Sequence, residues 1–205
     1  MPHPPWFELV WPSTCAACGS RGAGLLCDDC LPPNLHRAAV PVLGLSGAWV
    51  LCGYDAPLGG AVAGAKSRGD RPLMACVAAE LGVRAARMIP REAFDAIVPA
   101  PSAWRSLLRR GWSGASVLGA AVSRETGVPL RHVARRLGGP AQAGLDRQAR
   151  KRNLRGRIRV DVPISGRVLV VDDVVTTGAT LQQCVQEVLG AGAREVWALA
   201  ACAAR

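Results

Sequence analysis

The most specific chemical pattern in the chain is a pair of carboxylates placed between an apolar run and a turn of hydroxyls. It reads Val168-Leu169-Val170-Val171-Asp172-Asp173-Val174-Val175-Thr176-Thr177-Gly178-Ala179-Thr180. The aliphatic stretch Val168 to Val171 predicts a strand buried on both faces. Asp172 and Asp173 leave it where they can accept hydrogen bonds from vicinal hydroxyls such as those of a ribose. Thr176, Thr177, Gly178, Ala179 and Thr180 then offer hydroxyls and backbone N–H groups at a helix N-terminus, a setting that wraps a phosphate. Gly178 lets the backbone approach closely. No Gly-Lys-Ser/Thr tripeptide occurs, which excludes a Walker A loop.

A second pattern lies near the N-terminus. Cys15-Ala16-Ala17-Cys18 and Cys27-Asp28-Asp29-Cys30 repeat one spacing within sixteen residues, with Gly19 after the first pair to permit a tight knuckle. Two such knuckles place four thiolates on a tetrahedron suited to a structural Zn²⁺. A redox dithiol pair and plain buried cysteines are the alternatives, and the duplicated spacing favours zinc. Cys52, Cys76, Cys184 and Cys202 fall in apolar helix or strand patterns and read as core.

The elements that must hold these groups are legible from periodicity. Gly47 to Tyr54 reads as a strand. Arg71 to Met88 reads as a helix with a buried stripe of Met74, Val77, Leu81 and Met88. Phe94 to Pro99 reads as a buried strand, Ser113 to Glu125 as a helix and Leu130 to Val133 as a short strand. After Gly178 a helix carries Leu181, Cys184, Val185, Val188 and Leu189 on one face. Gly190 and Gly192 stop it, and Glu195 to Ala200 is the next strand. The strand, helix and strand from Val168 onward make one βαβ unit, whose ligand site belongs at the carboxyl ends of its strands. A Pro-rich break at Leu31-Pro32-Pro33 suggests a zinc module over residues 1–40 and an α/β domain over 41–205, each with its own core.

Composition sets the outer limits. Half of the 205 residues are hydrophobic and only 4% aromatic, so the core must be built from Ala, Val and Leu. The net charge of +10 is almost wholly arginine, Lys66 and Lys151 being the only lysines, and it attracts polyanions without choosing among them. Seven of these cations, Arg147, Arg150, Lys151, Arg152, Arg155, Arg157 and Arg159, sit in one stretch with no acidic and no aromatic residue. That stretch suits a lid over a sugar phosphate, an electrostatic track for single-stranded DNA, or a solvated surface. Met1 to Cys15 lacks the basic and apolar regions of a secretory signal. The uncharged stretch from Arg37 to Asp55 is broken by Pro41 and three glycines and is too short to span a bilayer. The expectation is a cytoplasmic protein without membrane insertion, with its thiols reduced.

The thirteen residues from Val168 to Thr180 resemble the phosphoribosyl-pyrophosphate signature of type I phosphoribosyltransferases. The resemblance implies that fold, with Asp172 and Asp173 on the ribose hydroxyls and Thr176 to Thr180 on the 5′-phosphate. It also places Arg105, Arg109 and Arg110 near the pyrophosphate or the Mg²⁺ that bridges it; their sequence alone equally allows a solvated basic face. Thr176 stands where the 6-oxopurine branch has an aspartate. Taken over nearly the whole chain, the pattern resembles the ComF family of competence-associated proteins. Carrying it are Phe7 to Cys18, Tyr54 with Lys66-Ser67-Arg68-Gly69-Asp70, and Val98-Pro99-Ala100-Pro101. Arg110-Gly111-Trp112, Gln142 with Leu145, and Arg150 with Asn153 complete the set. After Trp112 that family has Asn-Gln and this chain has Ser113-Gly114. The resemblance implies phosphoribosyl pyrophosphate as ligand, a role in handling incoming DNA during natural transformation, and partners in the competence machinery. No residue stands out as a nucleophile or dedicated base, so the residues leave both a transferase and a non-enzymatic DNA-binding or sugar-phosphate-sensing protein open.

Overall fold

The computed structural model describes residues 14–21, 25–137 and 158–204, and the side chains of Trp104 and Arg105 lie outside that description. Also outside it are several residues read above: Phe7 to Ser13, Gln142, Leu145, Asn153 and the basic stretch from Arg147 to Arg157.

A five-stranded sheet organises the chain. Its strands are β1 (His36–Arg37), β2 (Gly47–Gly53), β3 (Ala96–Pro99), β6 (Arg167–Val175) and β7 (Glu195–Ala203), in the order β1-β2-β7-β6-β3. All neighbours are parallel except β1, which pairs antiparallel with β2 at one edge. A separate antiparallel pair joins β4 (Ala134–Arg136) to β5 (Ile158–Val160).

Helices cover both faces, as a parallel sheet requires. On one face α1 (Pro57–Arg68), α2 (Arg71–Met88) and α4 (Gly114–Thr126) bury Leu58, Val62, Met74, Leu81 and Leu118 against Leu51, Ile97, Leu169 and Leu199. Gly82 lets α4 come close to α2, because a Cβ there would lie 2.9 Å from the Ala121 carbonyl oxygen. On the other face α5 (Ala179–Gly190) buries Leu181, Cys184, Val185 and Val188 against Val168, Val170, Val196 and Ala198. The expected α/β architecture with a mostly parallel sheet is therefore present. The fully buried large side chains are Leu, Ile, Val and one Met, which matches the scarcity of aromatics.

The Arg68-Gly69-Asp70 stretch is the joint between two helices. Gly69 takes a left-handed conformation at φ 77° and ends α1, and the Asp70 side chain caps α2 by accepting from Leu73 N–H at 3.0 Å. A short helix α3 (Trp104–Arg110) follows β3.

Three expectations are corrected. Met88 is 39% exposed and lies outside the buried stripe of α2, which continues from Leu81 to Ala85 instead. Leu130 to Val133 is no strand: only Leu130 bridges Ile97, since β3 is four residues long and offers little edge. Among the described residues the cysteine segment has no core of its own. Cys15, Leu26, Cys27 and Leu35 belong to the same buried cluster as Leu51 and Leu81, and Arg84 Nε on α2 donates to the Pro32 carbonyl at 2.6 Å. A segment this small cannot bury enough apolar surface alone.

Candidate sugar-phosphate and metal sites

β6 runs four residues further than the apolar run predicts, so the acid pair lies within the strand rather than after it. Alternation then separates the two carboxylates. Asp173 follows Leu169 and Val171 onto the face covered by α1 and α4, while Asp172 follows Val168 and Val170 toward α5. Asp173 is buried, and its Oδ1 accepts from Lys66 Nζ at 2.5 Å and from Val174 N–H at 2.8 Å. Asp172 is half-buried, and its Oδ1 accepts from Asp173 N–H at 2.8 Å. Burial and then the Asp173 charge push the Asp172 carboxyl up to about 7, against the pull of Lys66.

A cavity of about 450 Å³ opens at the carboxyl ends of the strands. Asp172, Asp173, Thr176, Thr177, Ala179 and Thr180 line it, and so do Arg109 and Arg110, which lie some sixty residues earlier in the sequence. Gly178 is set apart from the lining. It caps α5 at φ 69°, and a Cβ there would come 3.1 Å from Val42 Cγ2. Arg110 donates through Nη1 to the Lys66 carbonyl at 2.7 Å and lies over the Trp112 ring at 5.5 Å. Its Nε is buried without a hydrogen-bond partner among the described residues, an arrangement that a bound acceptor would relieve. Arg109 donates to the Ser67 carbonyl at 3.5 Å.

Sequence reading missed two contributors. Lys66 enters it only as part of a motif, because the Asp173 partner lies 107 residues away. Gly114 looks like the loss of an amide side chain, yet a Cβ there would lie 2.3 Å from Asp173 Oδ2. Its hydrogen is what lets α4 close over the carboxylate.

The four N-terminal cysteines converge as their spacing predicts. The sulfurs of Cys15, Cys18, Cys27 and Cys30 lie within 4.8 Å of one another, and Cys18 to Cys27 is 3.6 Å. A tetrahedral zinc with bonds of about 2.3 Å has sulfur–sulfur edges of about 3.8 Å. Gly19, at φ 80°, donates its N–H to the Cys15 carbonyl at 2.8 Å to close the first knuckle, and Leu31 N–H bonds the Cys27 carbonyl at 3.2 Å in the second. Burial opposes ionisation of Cys15, but the backbone N–H groups of Cys18, Cys27 and Ala17 outweigh it and hold the thiol at about 6. Burial and the neighbouring thiols push Cys30 up. Four sulfurs this close fit a divalent cation. The other cysteines read as core are buried, apart from half-buried Cys76, and burial followed by the Asp172 charge pushes Cys184 up to about 12.

No family model matches the chain. The sequence is 37% identical over 110 residues to DNA utilization protein YhgH of Escherichia coli K12, covering 51% of this chain and 48% of that protein. It is 33% identical over 114 residues to Competence protein F of Haemophilus influenzae, covering 52% of this chain and 50% of that protein. The chain is thus similar to both proteins over about half of its own length. It spans about half the length of the curated relatives it matches. Two solved structures of phosphoribosyl enzymes are also similar. Glutamine phosphoribosylpyrophosphate amidotransferase of Bacillus subtilis gives a TM-score of 0.43 at 19% identity over 62% of this chain and 26% of that one. Orotate phosphoribosyltransferase of Aeropyrum pernix gives 0.34 at 20% identity over 68% and 62%. At those TM-scores the likeness carries no weight for function. Among the described residues no helix is long and apolar enough to cross a membrane.

Proposed function

We propose that this chain is a ComF-type protein that binds phosphoribosyl pyrophosphate, or a closely related sugar phosphate, together with Mg²⁺ in the cavity at the end of β6. The observation that carries the reading is the convergence of Asp172, Thr176, Thr177 and Thr180 with Lys66, Arg109 and Arg110 in one cavity. Hydroxyls and N–H groups at the start of α5 take the 5′-phosphate, the acid wall takes the ribose, and the cations take the pyrophosphate. Asp172 would be the carboxylate nearest a bridging Mg²⁺, which favours one carboxylate plus ligand phosphates. Cys15, Cys18, Cys27 and Cys30 would hold a structural Zn²⁺ that ties the two knuckles together, in the reading of a zinc-ribbon module over residues 1–40 and a phosphoribosyltransferase-like domain over 41–205. Transfer at C1 would break the bond to pyrophosphate as an acceptor attacks, with Arg109 and Arg110 stabilising the departing charge.

The names of the relatives and the net charge of +10 support a role in DNA uptake and natural transformation, with binding of single-stranded DNA and contact with other competence proteins in the cytoplasm. They also favour a second reading, in which the cavity senses a sugar phosphate or holds a DNA end without turnover. Calorimetric titration with phosphoribosyl pyrophosphate and Mg²⁺ tests the binding, and pyrophosphate release with candidate acceptors separates the two readings. Saturable binding that disappears in a Thr177→Val/Thr180→Val variant supports the site; binding indifferent to that change rejects it.

A further inference from the structure

The two carboxylates of the pair stand in different surroundings. Asp173 has a side chain 3% exposed, with Oδ1 occupied by Lys66 Nζ and Val174 N–H. Its Oδ2 packs on Gly114, so near that a Cβ would overlap it. Turning this carboxylate toward a sugar would strand a buried charge and break its ion pair, which is strongly unfavourable. Lys66 is different: its side chain is 37% exposed and lines the cavity. An ammonium has three donors, and Asp173 accepts from one of them, leaving donors for a ligand. The backbone beneath Lys66 is fixed by Arg110, which bonds its carbonyl, and by Arg109, which bonds that of Ser67. The residue type agrees. Of 25 basic residues only Lys66 and Lys151 are lysines, and a lysine ammonium is a compact point charge whose rotatable donors can serve a carboxylate and a ligand at once.

On the sugar-phosphate reading above, we propose that Asp173 is a positioning residue for Lys66 rather than a second ribose ligand, and that Lys66 Nζ binds the anionic group on the sugar's C1. Asp172 alone then meets the ribose hydroxyls. Lys66 thereby joins Arg109 and Arg110, which line the same cavity, in one anion-binding wall, and Asp173 holds the lysine in place.

The test compares two probes, phosphoribosyl pyrophosphate with Mg²⁺ and ribose 5-phosphate, which lacks the C1 pyrophosphate. Lys66→Met is expected to weaken the first at least tenfold and the second less than threefold. Asp173→Asn should give the same split, and the Lys66→Met/Asp173→Asn double variant should be no worse than either single change. The double variant buries no unpaired charge, so it keeps the comparison readable if a single variant unfolds. Lys66→Arg should fail to restore binding. Equal loss of both probes in Asp173→Asn with full binding in Lys66→Met would make Asp173 a sugar ligand and overturn the proposal. Additive losses in the double variant would also overturn it. A parent chain that binds neither probe removes the sugar-phosphate reading itself, and the proposal with it.

Discussion

Asp172→Asn is expected to stabilise the ligand-free chain above neutral pH while weakening its hold on a sugar phosphate. Burial, and then the charge of Asp173, raise the Asp172 carboxyl from an ordinary 3.8 to about 7. Between those values the folded chain holds a proton that the unfolded chain has released, so stability falls as pH rises, by about 1.4 kcal/mol per pH unit. The whole interval corresponds to about 4 kcal/mol, and water reaching a half-buried carboxylate lowers the expectation to about 2 kcal/mol. Asparagine keeps the shape and carries no charge, so the variant escapes this loss. Urea unfolding at pH 8 should show it more stable than the parent by about 2 kcal/mol, with the gap closing toward pH 4. Binding should move the other way. Loss of charge-assisted hydrogen bonds to ribose, each worth about 1.5–3 kcal/mol, should reduce affinity at least tenfold. A variant less stable than the parent at pH 8, or a stability gap that does not change with pH, would refute the reasoning.

Other expectations follow from the same chemistry. Gly114→Ala should lower stability by about 1–3 kcal/mol and weaken sugar-phosphate binding, because the new Cβ meets Asp173 Oδ2; thermal melting and titration check both. Purified protein should carry one Zn²⁺ per chain by elemental analysis, absent from Cys15→Ser and Cys30→Ser variants. Because the cysteine segment shares its buried cluster with Leu51 and Leu81, metal loss should lower the melting temperature of the whole chain in a single transition, by about 5–10 °C. Neutralising Arg150 and Arg152 should weaken binding of single-stranded DNA and flatten the slope of log K against log salt by about 0.7 for each phosphate that is no longer neutralised, measured by fluorescence anisotropy.

Much of the frame was readable because local pattern and tertiary role agree. The run Val168 to Val171 is buried on both faces as its composition implies, and helix α2 spans Arg71–Met88 as its periodicity implies. The cysteine spacing likewise predicts a convergence that local turns can make alone. Reading fails where a partner is distant. Nothing near Asp173 in sequence announces Lys66, so β6 reads as ending where charge begins, although a buried carboxylate with a partner can continue a strand. Gly114 gains its meaning from an oxygen on another element, and the shared core of the cysteine segment depends on Arg84 and Pro32 meeting in space. Gly178 is a milder case. Its φ of 69° and the nearby Val42 mean that a larger residue strains the backbone by about 1–2 kcal/mol before any ligand is considered. Thr177 and Thr180 therefore report more cleanly on phosphate binding.

The most direct test of the central claim is a crystal structure of the chain with ribose 5-phosphate. The account predicts the phosphate within hydrogen-bond reach of the backbone N–H groups at the start of α5, and the ribose hydroxyls within reach of the Asp172 carboxylate. A phosphate bound elsewhere, or a sugar turned away from Asp172, would contradict it.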